Sequence, residues 1–187
     1  MKKIFLFFFS FIIAISAVKA QDTTNTGLLY GHNHSYYLTA PLGWVMDHES
    51  GKDQGLTAVF YPKGSSWASA ETVMYASYAS YDTTKKETVK NVISTDSMQF
   101  LSTSPDLKIS KQEPINIGRG KKALVCSYSD NVNSNYETVA YIAEKKGVIM
   151  IIISSRNKNG CINNYKTFEA LIKSYKFLTD KVNVTVD

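Results

Sequence analysis

Cysteine, histidine and long apolar runs are scarce in this 187-residue chain, and each scarcity closes off a class of function. The only cysteines, Cys126 and Cys161, lie far along the chain from the histidines, so a four-ligand structural zinc site has no cysteine where the histidines are. The histidines, His32, His34 and His48, all precede residue 49, so the serines of Gly64-Ser65-Ser66-Trp67 have no histidine base near them in sequence. Gly64-Ser65-Ser66-Trp67 also lacks the second glycine of a G-x-S-x-G hydrolase elbow. GRGKK at 118–122 lacks the G-x-x-x-x-G-K-[ST] spacing of a phosphate-binding loop. A large charge of one sign is missing as well. The formal charge is +5, but taking Lys2, Lys3 and Lys19 from 21 basic residues leaves 18 against 16 acidic ones, a balance of +2. That gives no argument for a nucleic-acid partner.

After residue 20 no apolar stretch approaches the roughly 20 residues that a membrane-spanning helix needs. The one long apolar run, Ile4 to Val18, follows Lys2 and Lys3 and ends in Val18-Lys19-Ala20. Basic, apolar and small-residue segments in that order predict a cleavable signal peptide over 1–20. The expectation is an exported protein, periplasmic or extracellular, with no transmembrane segment once the leader is gone. A flexible lead-in over 21–35 would precede a single α+β domain over 36–187. Export permits a disulfide. Cys126 sits in the apolar run ALVCSY and Cys161 in a loop after Gly160, so two separate thiols are the better reading, with a bridge left open.

Short extended runs begin at Tyr36: YYLTA, WVMD, LTAVFYP and ETVMYASYAS, punctuated by PLG and HESGKDQG. Thr84 and Glu87 have the spacing of a capping box, and Val89, Val92, Ile93, Phe100 and Leu101 then recur at helical intervals up to Pro105. A second helix is predicted over about 163–177, with Tyr165, Phe168, Leu171, Ile172 and Tyr175 as its apolar stripe. Between the helices lie LKISKQEPINI, KKALVCSYS, YETVAYIAE and GVIMIIISS, joined by connections short enough for antiparallel hairpins. VIMIIIS is apolar on both faces, so both faces must be covered. The pattern predicts an α+β fold, a mostly antiparallel sheet with a helix packed on each face, that is, an α/β/α sandwich.

The order of strands, helix, four-strand meander and terminal helix, with the early element Ala40-Pro41-Leu42-Gly43-Trp44, resembles the PsbP/Mog1-like family over about residues 36–178. That family includes a photosystem II subunit, a nuclear transport factor and small exported bacterial relatives. The resemblance implies a non-enzymatic binding or assembly module, and it brings no catalytic residue set with it.

In GHNH, His32 and His34 stand at i and i+2, which on a strand puts both on one face. With His48 or Asp47 they could hold a metal, and a metal-binding protein or metal-dependent enzyme using His32, His34 and His48 is the alternative reading. The ligand count falls short, and exposed polar residues are the better account; no metal and no cofactor are expected. Hairpin arithmetic puts the turn after the first meander strand and the turn after the third at one end of the sheet. Arg119, Lys121, Lys122, Lys145 and Lys146 would gather there as a dock for an unknown protein or an anionic envelope component. At the opposite end DNVNSN and RNKNGCINN would bring asparagines together, a residue favoured in turns for its own backbone chemistry.

Overall fold

A strand with two apolar faces has to lie inside a sheet, and the molecule is built around one. The computed structural model describes residues 25–82 and 84–182; the signal peptide expected over 1–20 and the first residues of the expected lead-in lie outside them. In chain order the strands are β1 (Thr26–Gly31), β2 (His34–Thr39), β3 (Trp44–Asp47), β4 (Val59–Pro62) and β5 (Thr72–Ser80). After helix α1 (Val89–Thr103) come the meander strands β6 (Lys108–Gly118), β7 (Lys121–Asp130), β8 (Asn135–Ala143) and β9 (Gly147–Ser155). Helices α2 (Lys158–Asn163) and α3 (Tyr165–Lys173) then lead to β10 (Lys176–Thr179). The large sheet has the order β3-β4-β5-β9-β8-β7-β6, with every pair antiparallel. Strand β9 carries the VIMIIIS run between β5 and β8, with Ile152 opposite Tyr75 on one side and Val139 on the other. Val148, Ile149, Ile151 and Ile153 are fully buried.

The two faces of this sheet are covered unequally. On one, Phe60, Met74, Ile149, Ile151 and Ile153 pack with Phe168, Leu171 and Ile172 of α3 and with Leu29, Tyr36 and Leu38. The last three belong to a second, three-stranded antiparallel sheet of order β1-β2-β10. On the other face Cys126, Tyr128, Val139, Tyr141 and Ile152 meet Val92, Ile93 and Phe100 of α1, and Phe100 stacks on Tyr128 at 4.4 Å between ring centroids. No residue of α1 is fully buried, whereas α3 buries three.

The α+β class and the mostly antiparallel sheet hold; α1 lies against one face of the large sheet, and α3 shares the other face with the small sheet, which the sequence pattern did not include. Residues 26–35 are not a flexible lead-in. Gly27, Leu29 and Gly31 pair with Leu38, Tyr36 and His34, and the buried Leu29 fastens β1 to the core. The helix expected over 163–177 is broken into α2, α3 and β10, with Ser174 in the last helical turn and Tyr175 buried just after it. Cys161 therefore lies on α2 and not in a loop. The capping box also moves. Thr84 is drawn into the turn of Asp82, donating to its Oδ1 at 2.6 Å, and the N-cap of α1 is Thr88, whose N–H is accepted by Asn91 Oδ1 at 2.9 Å.

Polar links hold the thinly covered side together. Tyr141 donates to Asp96 of α1 at 3.0 Å and shares a 2.8 Å hydrogen bond with Tyr128. At the far end of α1 the Asp130 carboxylate accepts from Ser104 Oγ at 2.5 Å, from the Val132 and Asn133 N–H groups and from Asn133 Nδ2. The Ser104 hydroxyl, then the Asn133 N–H and side chain, bring the Asp130 pKa down to about 2.

Ile151→Ala should cost about 2–5 kcal/mol in chemical denaturation, as other buried large-to-small changes do. Val132→Ala, at 74% exposure on a turn, should stay within about 0.5 kcal/mol. Asp130 also makes a prediction in pH. Its pKa is depressed in the folded state, so its contribution is present above the unfolded value near 3.9 and is lost as pH falls through about 2. Urea midpoints measured across that window should fall less steeply with acidification in Asp130→Asn than in the wild type.

Candidate functional site

The β6–β7 connection is a tight hairpin in which Gly118, Arg119 and Gly120 all have positive φ, at 85°, 51° and 73°. Two left-handed central residues match the right-handed twist of the flanking strands, and glycine takes that backbone without strain. Arg119 does not, since a side chain in this region costs about 1–2 kcal/mol. The turn between β8 and β9 lies at the same end of the sheet, and a direct contact joins the two. Lys121 Nζ donates to both oxygens of Glu144 at 2.6 Å, and Tyr175 donates to the same carboxylate at 2.9 Å. Burial first, then the Glu144 charge, holds the Tyr175 hydroxyl well above its ordinary pKa. Lys121 also lies 5.7 Å from the Phe177 ring centroid, within cation–π range. Lys146 reaches the other way, to Asn33 Oδ1 at 2.9 Å and the Asp180 carbonyl at 3.0 Å, tying the large sheet to the small one.

The five cations thus divide into two kinds. Lys121 and Lys146 are fasteners, committed to partners inside the molecule. Arg119, Lys122 and Lys145 are exposed, and among the described residues none of them forms a salt bridge.

The histidines do not converge. His34 stacks on Tyr78 at 3.9 Å, and burial lowers its pKa. His32 stays exposed in the turn, next to Asn33 at φ 66°. His48 meets the Thr57 carbonyl at 3.0 Å through Nδ1, at the end of β3 in the other sheet. The oxygens of Asp47 are taken by the Glu49 and Ser50 N–H groups and by the hydroxyls of Ser50 and Tyr61. Among the described residues no group of three or more His, Cys, Asp or Glu side chains is placed to hold a metal ion. Both cysteines are free, and Cys161 donates its thiol hydrogen to the Tyr136 carbonyl at 3.3 Å. At the asparagine-rich end the side chains serve their own turns: Asn157 caps α2, Asn133 bonds Asp130, and Asn164 donates to the Gly160 carbonyl.

A cleft that sequence reasoning did not locate runs beside α1 on the thinly covered face. It has two chambers, of about 540 and 390 Å³, and Tyr75 and Glu137 line both. Trp67, edge-on to Tyr75 at 6.1 Å, belongs to the larger chamber; Asp96 and Phe100 of α1 belong to the smaller. Desolvation raises the pKa of Glu137, and the nearby Ser154, Tyr75 and Asn135 side chains bring it back only in part. Asp96 is raised by burial too, against the hydrogen bond from Tyr141. One signal for the cleft was legible: Glu137 shares a strand face with Val139 and Tyr141, an acid in an apolar row.

No protein-family model and no curated protein matches the chain. Among solved structures it is similar to cyanobacterial PsbP (CyanoP) from Synechocystis sp. PCC 6803, with a TM-score of 0.53 and 12% sequence identity. The match covers 89% of this chain and 99% of that one, so the fold is PsbP-like.

The division of the basic end is testable by stability. The Glu144 side chain is only 9% exposed while that of Lys121 is 46% exposed, so solvent screens the pair from one side. Lys121→Ala should cost about 1–2 kcal/mol by stranding a mostly buried carboxylate. Lys122→Ala should change the unfolding free energy by less than about 0.5 kcal/mol.

Proposed function

We propose that this chain is an exported, non-enzymatic binding or assembly module that docks through its basic end onto an anionic component of the cell envelope. The observation that carries the reading is the separation of labour among the five cations. Lys121 and Lys146 lock the two turns and the small sheet into one rigid end, and that end presents Arg119, Lys122 and Lys145 to solvent. Turns whose backbone is already held lose little conformational freedom on meeting a partner, which is how preorganisation raises affinity. The left-handed Arg119 adds support: a strained side chain kept where glycine or asparagine would fit better points to use, not to folding. The PsbP-like fold is compatible with a module of this kind, and the leader pattern of residues 1–20 supports export.

Attraction at such an end reaches over about one Debye length, roughly 8 Å at physiological salt. Binding of the purified protein to vesicles rich in anionic lipid, or to an acidic polysaccharide, should therefore weaken steadily as salt rises. Each cation near an anionic surface contributes about 1 kcal/mol. Reversing Arg119, Lys122 and Lys145 to glutamate together should then lower vesicle affinity by at least about a hundredfold while leaving the melting temperature nearly unchanged. Salt-insensitive binding, or a triple variant that binds like the wild type on both surfaces, would remove the basic end from the account. Arg119→Asn gives a second, opposed readout. It should raise stability by up to about 1 kcal/mol, by relieving the left-handed side chain, and weaken binding about fivefold.

A further inference from the structure

The cleft beside α1 lies away from the basic end, and its chemistry has the opposite sign. Its volume falls within the roughly 300–1,000 Å³ of small-molecule sites, which characteristically combine apolar walls with a few convergent polar groups. The floor supplied by Val73, Val139, Met150 and Ile152 is apolar. Into the smaller chamber project two carboxylates, Glu137 from β8 and Asp96 from α1, and among the described residues neither forms a salt bridge. The cation lining the cleft, Arg156, is exposed in the larger chamber, where the exposed Glu71 of opposite charge also lies. The aromatic rings of Tyr75 and Phe100 line the same smaller chamber as the carboxylates.

We propose that this groove binds an elongated organic cation, with its ammonium group near Glu137 and Asp96 and its apolar body lying along Val73 towards Trp67. Three features select that ligand class. Two carboxylates partly stripped of water are each costly to keep charged, and a cation between them relieves both at once; their raised pKa values express that cost. Aromatic faces attract ammonium groups, and they do so more strongly where water is excluded. Two adjoining chambers that share Tyr75 and Glu137, with Trp67 lining one and Phe100 the other, suit a chain and not a compact ion. An anion of the same shape would meet two negative charges on an apolar floor.

The test uses octyltrimethylammonium, kept well below its micelle concentration, and octyl sulfate as the anionic counterpart. Both are titrated by calorimetry, with tryptophan fluorescence reporting on Trp67. Both titrations are repeated in the Arg119/Lys122/Lys145 triple-glutamate protein, so that sulfate bound at the basic end is not scored as groove binding. The expected result is saturable binding of the ammonium at one site, unchanged in the triple variant, with the sulfate at least about tenfold weaker there. A tenfold difference corresponds to about 1.4 kcal/mol. Glu137→Gln should weaken the ammonium about tenfold or more and leave the sulfate no weaker. Trp67→Ala, a change on a surface loop, should also weaken the ammonium and abolish its fluorescence response. Asp96→Asn, which keeps an acceptor for Tyr141, repeats the charge test should Glu137→Gln fail to fold. Equal affinity for the two amphiphiles in the triple variant overturns the proposal, as does ammonium binding indifferent to both the charge-neutralising and the Trp67 substitutions. Because the basic end is absent from the deciding arm, the failure of either reading leaves the other standing.

Discussion

The need to cover both faces of β9 is the constraint from which the rest of the architecture follows. Seven consecutive residues, Val148 to Ser154, offer apolar side chains in both directions with a single polar one at the end. Such a strand is stable only with a neighbour on each edge and a layer on each face. β5 and β8 provide the edges. The layers have to come from sequence outside the meander, and the chain supplies them from both sides of it: β1, β2, α3 and β10 for one face, α1 for the other.

The two layers are not equal, and the difference shapes what the molecule can do. The face under α3 and the small sheet is sealed by fully buried Leu29, Leu38, Phe168, Leu171 and Ile172. The face under α1 is closed by half-buried Val92, Ile93 and Phe100 and by the hydrogen bonds of Asp96, Tyr141 and Asp130. A helix that buries no residue completely contributes less to the global free energy than one that buries three, and segments of that kind open at lower cost than the rest of a domain. The cleft beside α1 is the same economy seen from the sheet: a face too wide for one amphipathic helix.

Much of the fold could be read in advance, and where reading stopped the reasons are local. The four meander strands and the buried status of VIMIIIS follow from alternation, turn chemistry and length, signals that tertiary context rarely reverses. The stripe Phe168, Leu171, Ile172 and Tyr175 identified the buried face of the terminal helix but not its end, because Lys176 to Thr179 continues an apolar-polar pattern that serves strand and helix alike. Residues 26–31 carry little strand signal of their own, because TGLLYG is short and glycine-rich and its strand depends on β2 for partners. Thr84 has the spacing of a cap but does not serve as one, because Asp82 competes for its hydroxyl. Hairpin arithmetic could gather the cations of the two turns at one end, but not the salt bridge that separates Lys121 from Lys122, since Glu144 and Tyr175 are remote from it in sequence. The cleft depends on the breadth of a face that a single helix must cover, a quantity no window of sequence contains.

The outermost strand of the large sheet has a consequence of a different kind. β6 is eleven residues long, enough to template another chain through its unpaired backbone groups. It carries Lys108 and Lys111 on exposed positions, Pro114 in its middle, and two register shifts against β7, between Gln112 and Ile115 and between Asn116 and Gly118. Charge, a missing N–H and a doubly kinked ladder are the devices by which natural sheets refuse edge-to-edge growth. The opposite edge, β3, is refused by brevity, at four residues. A protein guarded in this way can be crowded without polymerising through its large sheet. Whatever assembles with that sheet has to recognise its side chains, since the backbone rim offers no continuous strand to extend.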